Sequence, residues 1–410
     1  VLSDESIIKV WKMGPRVRHV LESEDKSDEF DPVTGTSNTL MLILLETSDM
    51  AQQEPEERIE LTSETRRILE ETDLRPLWEV EDTMGHVYDE LEANIWKWDD
   101  IKQAIDHVEE DMPIEELPPG FQRRVAVPIN TGMQNAISNT IYVGVQTVSP
   151  GETAPSHRHG ANALRFTIDG SEDMKTVVAG EEFPMENNDL ITTPQWEWHD
   201  HVNDSDQTAM WLDVLDLPLI LDSLNSSNVF ENHELERQPV TKTQGYWDSQ
   251  YGHARPAAES NDGGIPGPFE GTREPTPPYR FGWTETLETL RQRAENNNPD
   301  PYDGYSLAYV NPTTGQEPLF PTMSFRAQLL TEATEAHFHN ATEVFFVIEG
   351  AGTTHVDDET LEWDQWDIFV VPPDKPHRHE PENDEAILLG MTDRPVFEAF
   401  NFYAESAADQ

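Results

Sequence analysis

The chain has 410 residues, room for two or three domains, and sets 80 Asp and Glu against 27 Lys and Arg, a formal charge of −53. That balance excludes nucleic acid binding through a basic face, and the lack of cysteine excludes disulfides, thiolate nucleophiles and Cys-ligated zinc. Disorder would also explain so acidic a chain, but 11 Trp, 16 Phe and clear strand patterns favour a folded protein whose surface repulsion is screened by concentrated salt.

The first 49 residues look unlike the rest of the chain, and Met50-Ala51-Gln52-Gln53-Glu54 reads like a natural start. Residues 1–49 are therefore either an upstream extension foreign to the natural protein or a true N-terminal arm. The apolar stretch Leu40–Leu45 is too short to cross a bilayer, and no signal peptide is recognisable. The expectation is a cytoplasmic protein of a halophilic microbe with no membrane partner.

Residues 50–120 form a helical N-terminal region, acidic from Thr62 to Ile114, with Trp78, Trp96 and Trp98 as buried contacts. From Arg123 the period changes. Thr140–Val148, Leu164–Ile168 and Met210–Leu215 are short β-like segments between Gly, Pro and Asn turns, so 121–225 reads as a first β unit. Residues 226–278, rich in Pro, Gly, Ser and Asn, read as an inter-domain connection; with a short helix at Thr284–Ala294 they make a linker region, 226–300. Strand patterning resumes over 301–410, clearest at Phe345–Ile348 and Ile368–Val371, so the two β units look like an internal duplication.

His157 and His159 stand two apart just before a strand-like run. In extended backbone such residues share a face, so both imidazoles can reach one ion. The same parity directs Ala163 and Arg165 to the same cavity. Pro194-Gln195-Trp196-Glu197-Trp198-His199 ends another strand, with Asn203 four residues on. The bland alternative is an exposed or core-packed histidine cluster.

These residues resemble the cupin pattern: His157-Arg158-His159, then Ala163 in the glutamate position and Gly170, then Asn188, Pro194, Trp196, His199 and Asn203. Both glycines of the second motif are replaced, by Asn188 and Trp196. The resemblance implies a small double-sheet jelly roll. Without the glutamate, three neutral imidazoles leave a divalent ion its full charge and three open positions, which suits a bidentate anion plus O2. A structural zinc site is more often closed by four protein ligands.

Pro155-Ser156-His157-Arg158-His159, Ala163-Leu164-Arg165-Phe166, Trp198-His199-Asp200-His201, Trp211-Leu212-Asp213 and Ala308-Tyr309-Val310-Asn311-Pro312 resemble the gentisate 1,2-dioxygenase family, which includes salicylate and 1-hydroxy-2-naphthoate dioxygenases. The resemblance runs roughly from Glu92 to Tyr403. It implies an all-β bicupin with a helical N-terminal segment, a homo-oligomer (tetramer or dimer), and one Fe(II) per subunit on His157, His159 and His199. It also implies O2-dependent cleavage of a small aromatic acid between its carboxyl- and hydroxyl-bearing carbons, gentisate giving maleylpyruvate. By the same resemblance Arg165 clamps the substrate carboxylate, and Arg124, or its neighbour Arg123, adds a second clamp. Gln146 and Tyr142 sit at substrate-contact positions, and His201 and Asp213 are a hydrogen-bonding pair near the ring hydroxyls. Gln146 and Tyr142 could instead only fill the barrel interior, and Asp213 could be structural. Salicylate or a hydroxynaphthoate is the alternative substrate. A non-catalytic metal- or sugar-binding cupin is the alternative of another class, but it needs neither Arg165 beside the metal nor His201 beyond it.

The second unit repeats the pattern as His337-Phe338-His339, Glu343, Gly350, Trp366, Pro372 and His377. It keeps the glutamate and so resembles an ordinary three-His, one-Glu cupin site, a possible second metal site on His337, His339, Glu343 and His377. In the family the second cupin often serves structure and assembly. His355 and His379 read as surface residues or neighbours of the ligands.

Overall fold

A computed structural model describes residues 62–72, 75, 91–112, 123–133, 135–224, 230–251 and 276–408; the expectations for residues 1–49 and for Trp78 lie outside them. The chain divides into residues 1–87 and 88–410. In the first unit the described element is helix α1 (Ser63–Glu71), where Arg67 bridges Glu64 and Glu71 one turn to either side.

The second unit begins with β1 (Asn94–Trp96) and α2 (Trp98–Asp111), then runs through β2 (Arg124–Ala126), β3 (Tyr142–Val148), β4 (Thr153–His159), β5 (Ala163–Asp169), β6 (Ser171–Val178), β7 (Glu181–Met185), β8 (Leu190–Thr193), β9 (His199–Asn203), β10 (Ala209–Leu215) and β11 (Phe230–Asn232). Helix α3 (Tyr246–Tyr251), β12 (Tyr279–Phe281) and α4 (Trp283–Asn296) come next. The second set comprises β13 (Tyr305–Ala308), β14 (Ser324–Leu330), β15 (His337–His339), β16 (Glu343–Glu349), β17 (Gly352–Val356), β18 (Glu359–Trp363), β19 (Ile368–Val371), β20 (His377–Pro381), β21 (Ala386–Thr392), α5 (Arg394–Ala399) and β22 (Glu405–Ala407).

Each set folds as two antiparallel sheets face to face. The first pairs β12-β8-β5-β10-β3-β2 with β11-β4-β9-β6-β7; the second pairs β1-β19-β16-β21-β14-β13 with β18-β17-β20-β15-β22. The two orders match strand for strand, so the duplication expected from sequence is present. Strand alternation explains the packing. On β3, Val143 and Val145 point out of the first barrel, whereas Tyr142, Gly144 and Gln146 point in. The outward set joins Leu164, Phe166, Leu212 and Val214 in one apolar cluster with Phe325, Val344, Phe346, Ile368 and Leu389 of the second barrel. Both faces of these central strands are thus buried, which is why they read as continuous apolar runs. Val148, Met174, Phe183, Ile191 and Trp211 fill the first barrel itself, and Leu330, Phe345, Val347, Trp363 and Phe369 the second.

The barrels exchange their edge strands. β1, which precedes the first barrel, pairs with β19 of the second, and β12, which precedes the second, pairs with β8 of the first. Each exchanged strand runs into a 14-residue helix opening on Trp98 or Trp283. The Trp98 amide donates to Asp367 of the second barrel (2.7 Å), and the Trp283 amide to Asp189 of the first (2.9 Å). A second reciprocal pair repeats the device: Thr322 donates to Asp216 (2.6 Å) and Thr140 to Asp393 (2.5 Å). The N-terminal helical region therefore contains a strand that belongs to the far barrel, and the linker supplies one to the near barrel.

Part of the expected linker is a strap rather than a free connection. β11 pairs with β4, the Ser156 amide donates to the Glu236 carbonyl (2.8 Å), and Glu181 accepts from the amides of Gly245 (2.6 Å) and Trp247 (2.9 Å). Residues 230–251 are thus tied to the first barrel by backbone and carboxylate hydrogen bonds.

Candidate metal centre

The histidines come from two neighbouring strands. A register shift on β4 between Ala154 and His157 keeps both of these residues facing inward, and His157 stands opposite His199 on β9. One ring nitrogen from each of His157, His159 and His199 lies within 4.8 Å of the others. Each Nδ1–H donates to a backbone carbonyl two residues away, on Pro155, Ala161 and Glu197, all at 2.9 Å. Those bonds fix the tautomer and direct the bare Nε2 atoms inward, as metal-ligating histidines require. Burial, with the positive guanidiniums nearby, holds His157 and His199 well below the ordinary histidine range and His159 down at about 3. His199 Nε2 is buried with no protein partner. A neutral, convergent donor set of this kind fits a divalent ion.

The opposite sheet supplies the polar wall. Arg165 on β5 stands across from Asp213 on β10, which stands across from Gly144 on β3. Arg165 Nε lies 3.1 Å from Asp213 Oδ1 in a buried ion pair not aligned as a hydrogen bond, and its Nη1 has no protein partner. The indole Nε1 of Trp211 donates to the same Asp213 oxygen (3.1 Å). Burial pushes the Asp213 carboxyl up, opposed by Arg165. Gln146 and Tyr142 share this face, and Gln146 Nε2 is buried without a partner. A Cβ on Gly144 would lie 2.9 Å from Tyr142 Oη, so the missing side chain makes room for the phenol.

Several expectations need correction. Arg124 is turned away from the site: its Nη2 donates to Ser149 Oγ (2.7 Å) and it ion-pairs with Glu152. Its neighbour Arg123 has the opposite parity, and Arg123 Nη1 lies 2.9 Å from His157 Nε2. Arg165 does face the cavity, but not by continuing the parity of His157 and His159. The strands lie in different sheets, so Arg165 reaches the centre from across the barrel. His201 and Asp213 are not hydrogen-bonded to each other. Asp213 serves Trp211 and Arg165, whereas both ring nitrogens of His201 are buried without a partner and its ring packs on Trp211, centroids 4.8 Å apart. His379 is buried and bonded to Thr354 (2.8 Å), so it is not a surface residue, whereas His355 is partly exposed. Gly144 and Trp211 were missed as site residues; strand parity on β3 and β10 was the signal that could have found them.

The replaced glycines keep glycine's conformation. Asn188 and Trp196 have φ of 62° and 65°, and Trp366 has 73°. Tryptophan is strained there. The Trp196 amide donates to the His159 carbonyl (2.7 Å), and the Arg158 guanidinium lies 4.1 Å over its ring, which offset the strain.

The second barrel repeats the trio: His337, His339 and His377 offer nitrogens within 4.8 Å of one another, and Glu343 Oε2 lies 3.2 Å from His339 Nε2.

Two duplicated jelly rolls, each with a histidine trio inside, define a bicupin, and the cupin-domain family model matches residues 144–215 and 330–390. The gentisate 1,2-dioxygenase of Haloferax sp. is 74% identical over 357 residues, 87% of this chain and 99% of that one. Gentisate 1,2-dioxygenase 1 of Aquipseudomonas alcaligenes is 33% identical over 82% of this chain and 94% of its own. Among solved structures, salicylate 1,2-dioxygenase from Pseudoaminobacter salicylatoxidans, as its gentisate adduct, superimposes with a TM-score of 0.72 at 28% identity, over 86% of this chain and 96% of that one. The chain belongs to the gentisate 1,2-dioxygenase family of ring-cleaving bicupins.

Proposed function

We propose that the chain is an Fe(II)-dependent gentisate 1,2-dioxygenase, which adds both atoms of O2 across the bond between the carboxyl- and hydroxyl-bearing ring carbons to give maleylpyruvate. The observation that carries this reading is a charge balance. In a chain of net charge −53, two guanidiniums, Arg165 and Arg123, meet one carboxylate, Asp213, beside three neutral imidazoles. One positive charge is left over before any metal is counted, which matches an aromatic acid.

His157, His159 and His199 would hold the iron, which when bound supplies a redox-active centre where the aromatic acid and O2 can meet. Arg165 clamps the substrate carboxylate with its unpartnered Nη1, and Asp213 holds the guanidinium in place through Nε. Arg123 neutralises the remaining anionic charge from the first barrel's edge. Burial of Tyr142, reinforced by Asp213, raises its phenol above the usual range, so it stays protonated and can donate to a ring oxygen. His201 is neutral, with one N–H and one bare nitrogen, and so can both donate to and accept from a ring hydroxyl. Gln146 offers its unpartnered Nε2 to the same ligand.

Oxygen uptake by iron-loaded protein, with gentisate, salicylate and 1-hydroxy-2-naphthoate in parallel, tests the reading. Gentisate is expected to turn over fastest; no uptake with any of the three removes the proposal. His199→Ala should lose first-site iron and turnover together.

A further inference from the structure

We propose that Asp216 is a positioning residue for the first metal centre: it acts on His159 through the peptide group that joins Ala161 to Asn162, and Thr322 of the second barrel holds it in place. The inference rests on the reading of His157, His159 and His199 as metal ligands. The Ala161 carbonyl accepts from His159 Nδ1 (2.9 Å), and the N–H of the same peptide, on Asn162, donates to Asp216 Oδ1 (2.9 Å). Asp216 is fully buried, and its Oδ2 accepts from Asn162 Nδ2 (2.9 Å) and from the Thr322 hydroxyl (2.6 Å). A carboxylate bonded to a peptide N–H polarises the carbonyl at the other end, because hydrogen bonds in a chain strengthen one another at low dielectric. The imidazole that donates to that carbonyl becomes a more basic ligand and is held in one ring orientation. Metal-bound histidines commonly give their second N–H straight to a carboxylate; here a peptide stands between the two.

The same asparagine carries a second arm. Asn162 Oδ1 accepts from the Gln195 amide (3.2 Å), and the next amide along, that of Trp196, donates to the His159 carbonyl (2.7 Å). By holding Asn162, Asp216 therefore fixes the turn that leads into His199 as well as the tautomer of His159.

The second barrel builds the same relay in the opposite direction. Asp393 Oδ1 accepts from the Thr342 amide (2.8 Å), the Ala341 carbonyl of that peptide accepts from His339 Nδ1 (2.9 Å), and the Thr140 hydroxyl of the first barrel donates to Asp393 Oδ2 (2.5 Å). The places correspond: each aspartate directly follows β10 or β21, each threonine stands two residues before β3 or β14, and each peptide ends one residue before β5 or β16. Holding two barrels together requires ties between them. It does not require that both ties end on a peptide whose carbonyl holds a histidine of the trio. Each barrel thus completes the support of the other's histidines.

Cobalt(II) affinity and the visible spectrum of the bound cobalt test the relay without turnover. They are read on full-length protein carrying His377→Ala, so that the second trio does not contribute. Against that reference, Asp216→Asn should weaken cobalt binding about 10- to 100-fold and shift the spectrum. Thr322→Val should act in the same direction to a lesser degree, and Thr322→Ser should restore the reference values. Asp393→Asn breaks the equivalent tie and is the control: it should lower the melting temperature comparably and leave cobalt affinity at the first centre unchanged. If Asp216→Asn does not fold, the two Thr322 variants decide. Unchanged affinity and spectrum in Asp216→Asn and Thr322→Val, or an equal loss of affinity in Asp393→Asn, would overturn the proposal. No cobalt binding in the reference protein removes the metal reading and the relay together. Cobalt binding needs no substrate, so a failure to turn over gentisate would remove the proposed activity and leave the relay standing.

Discussion

Arg165 is where a single side chain separates catalysis from packing. Losing a buried clamp on a carboxylate costs about 2–5 kcal/mol, roughly 30- to 5,000-fold in kcat/KM. Arg165→Ala is expected to keep its iron and lose turnover, and Arg165→Lys to recover little, because an ammonium cannot reproduce the planar fork. The same change strands the Asp213 carboxylate in the barrel, so the melting temperature should fall too. Adding Asp213→Asn should restore part of the melting temperature and none of the turnover; restoration of turnover would mean that Arg165 only packs. Arg123 and Arg124 give a second contrast. Arg123→Ala should raise KM for gentisate with little change in melting, whereas Arg124→Ala, which breaks the buried pair with Glu152, should destabilise the protein with near-normal kinetics per folded molecule. Steady-state kinetics and thermal melts on both variants check this. The sequence could not choose between these neighbours, because the parity of a three-residue edge strand is set by its pairing with β3 and by nothing within it.

Among the elements, the exchanged edge strands make each barrel depend on the other. A fragment spanning residues 91–251 lacks β12 and exposes Val143, Val145, Leu164, Phe166, Leu212 and Val214, the apolar face that the second barrel covers. It is expected to aggregate when made alone and to become soluble when co-expressed with residues 252–410; a monomeric, cooperatively melting fragment would refute the dependence. Loss of a helix cap typically costs about 1 kcal/mol. Asp367→Ala, which uncaps α2 and leaves Lys97 without its buried partner, should therefore lower the melting temperature of both barrels in one transition. The β units and their duplication were legible because strand alternation and turn residues are local signals. The exchange was not. Asn94–Trp96 and Tyr279–Phe281 are too short to carry a pattern, and no local feature says which barrel receives them.

For the whole molecule the dominant quantity is charge. At −53, self-repulsion opposes the compact state unless it is screened, and the screening length falls to about 3 Å at molar salt. Dialysis into dilute buffer should abolish the near-UV circular dichroism and the oxygen uptake, and restored molar salt should slow or reverse the loss. Unchanged spectra and activity across that dialysis would mean that the acidic surface is not an adaptation to salt. A gentisate 1,2-dioxygenase of Haloferax at 74% identity agrees with that expectation, which rests on charge alone.

By itself the sequence determined the two β units, both histidine trios and the acidic character. Each is written in short motifs or in composition: His-x-His on one extended face, a third histidine five residues after a proline, and a plain count of charges. Only the tertiary structure decided that Arg123 rather than Arg124 faces the centre and that Arg165 arrives from the opposite sheet. It alone left His201 without a partner while Asp213 holds Arg165 and Trp211, and it alone gave each barrel a strand from before the other. All of these depend on which distant strands pair and in what register, and pairing is settled by burial of the whole inter-barrel core rather than by any local preference.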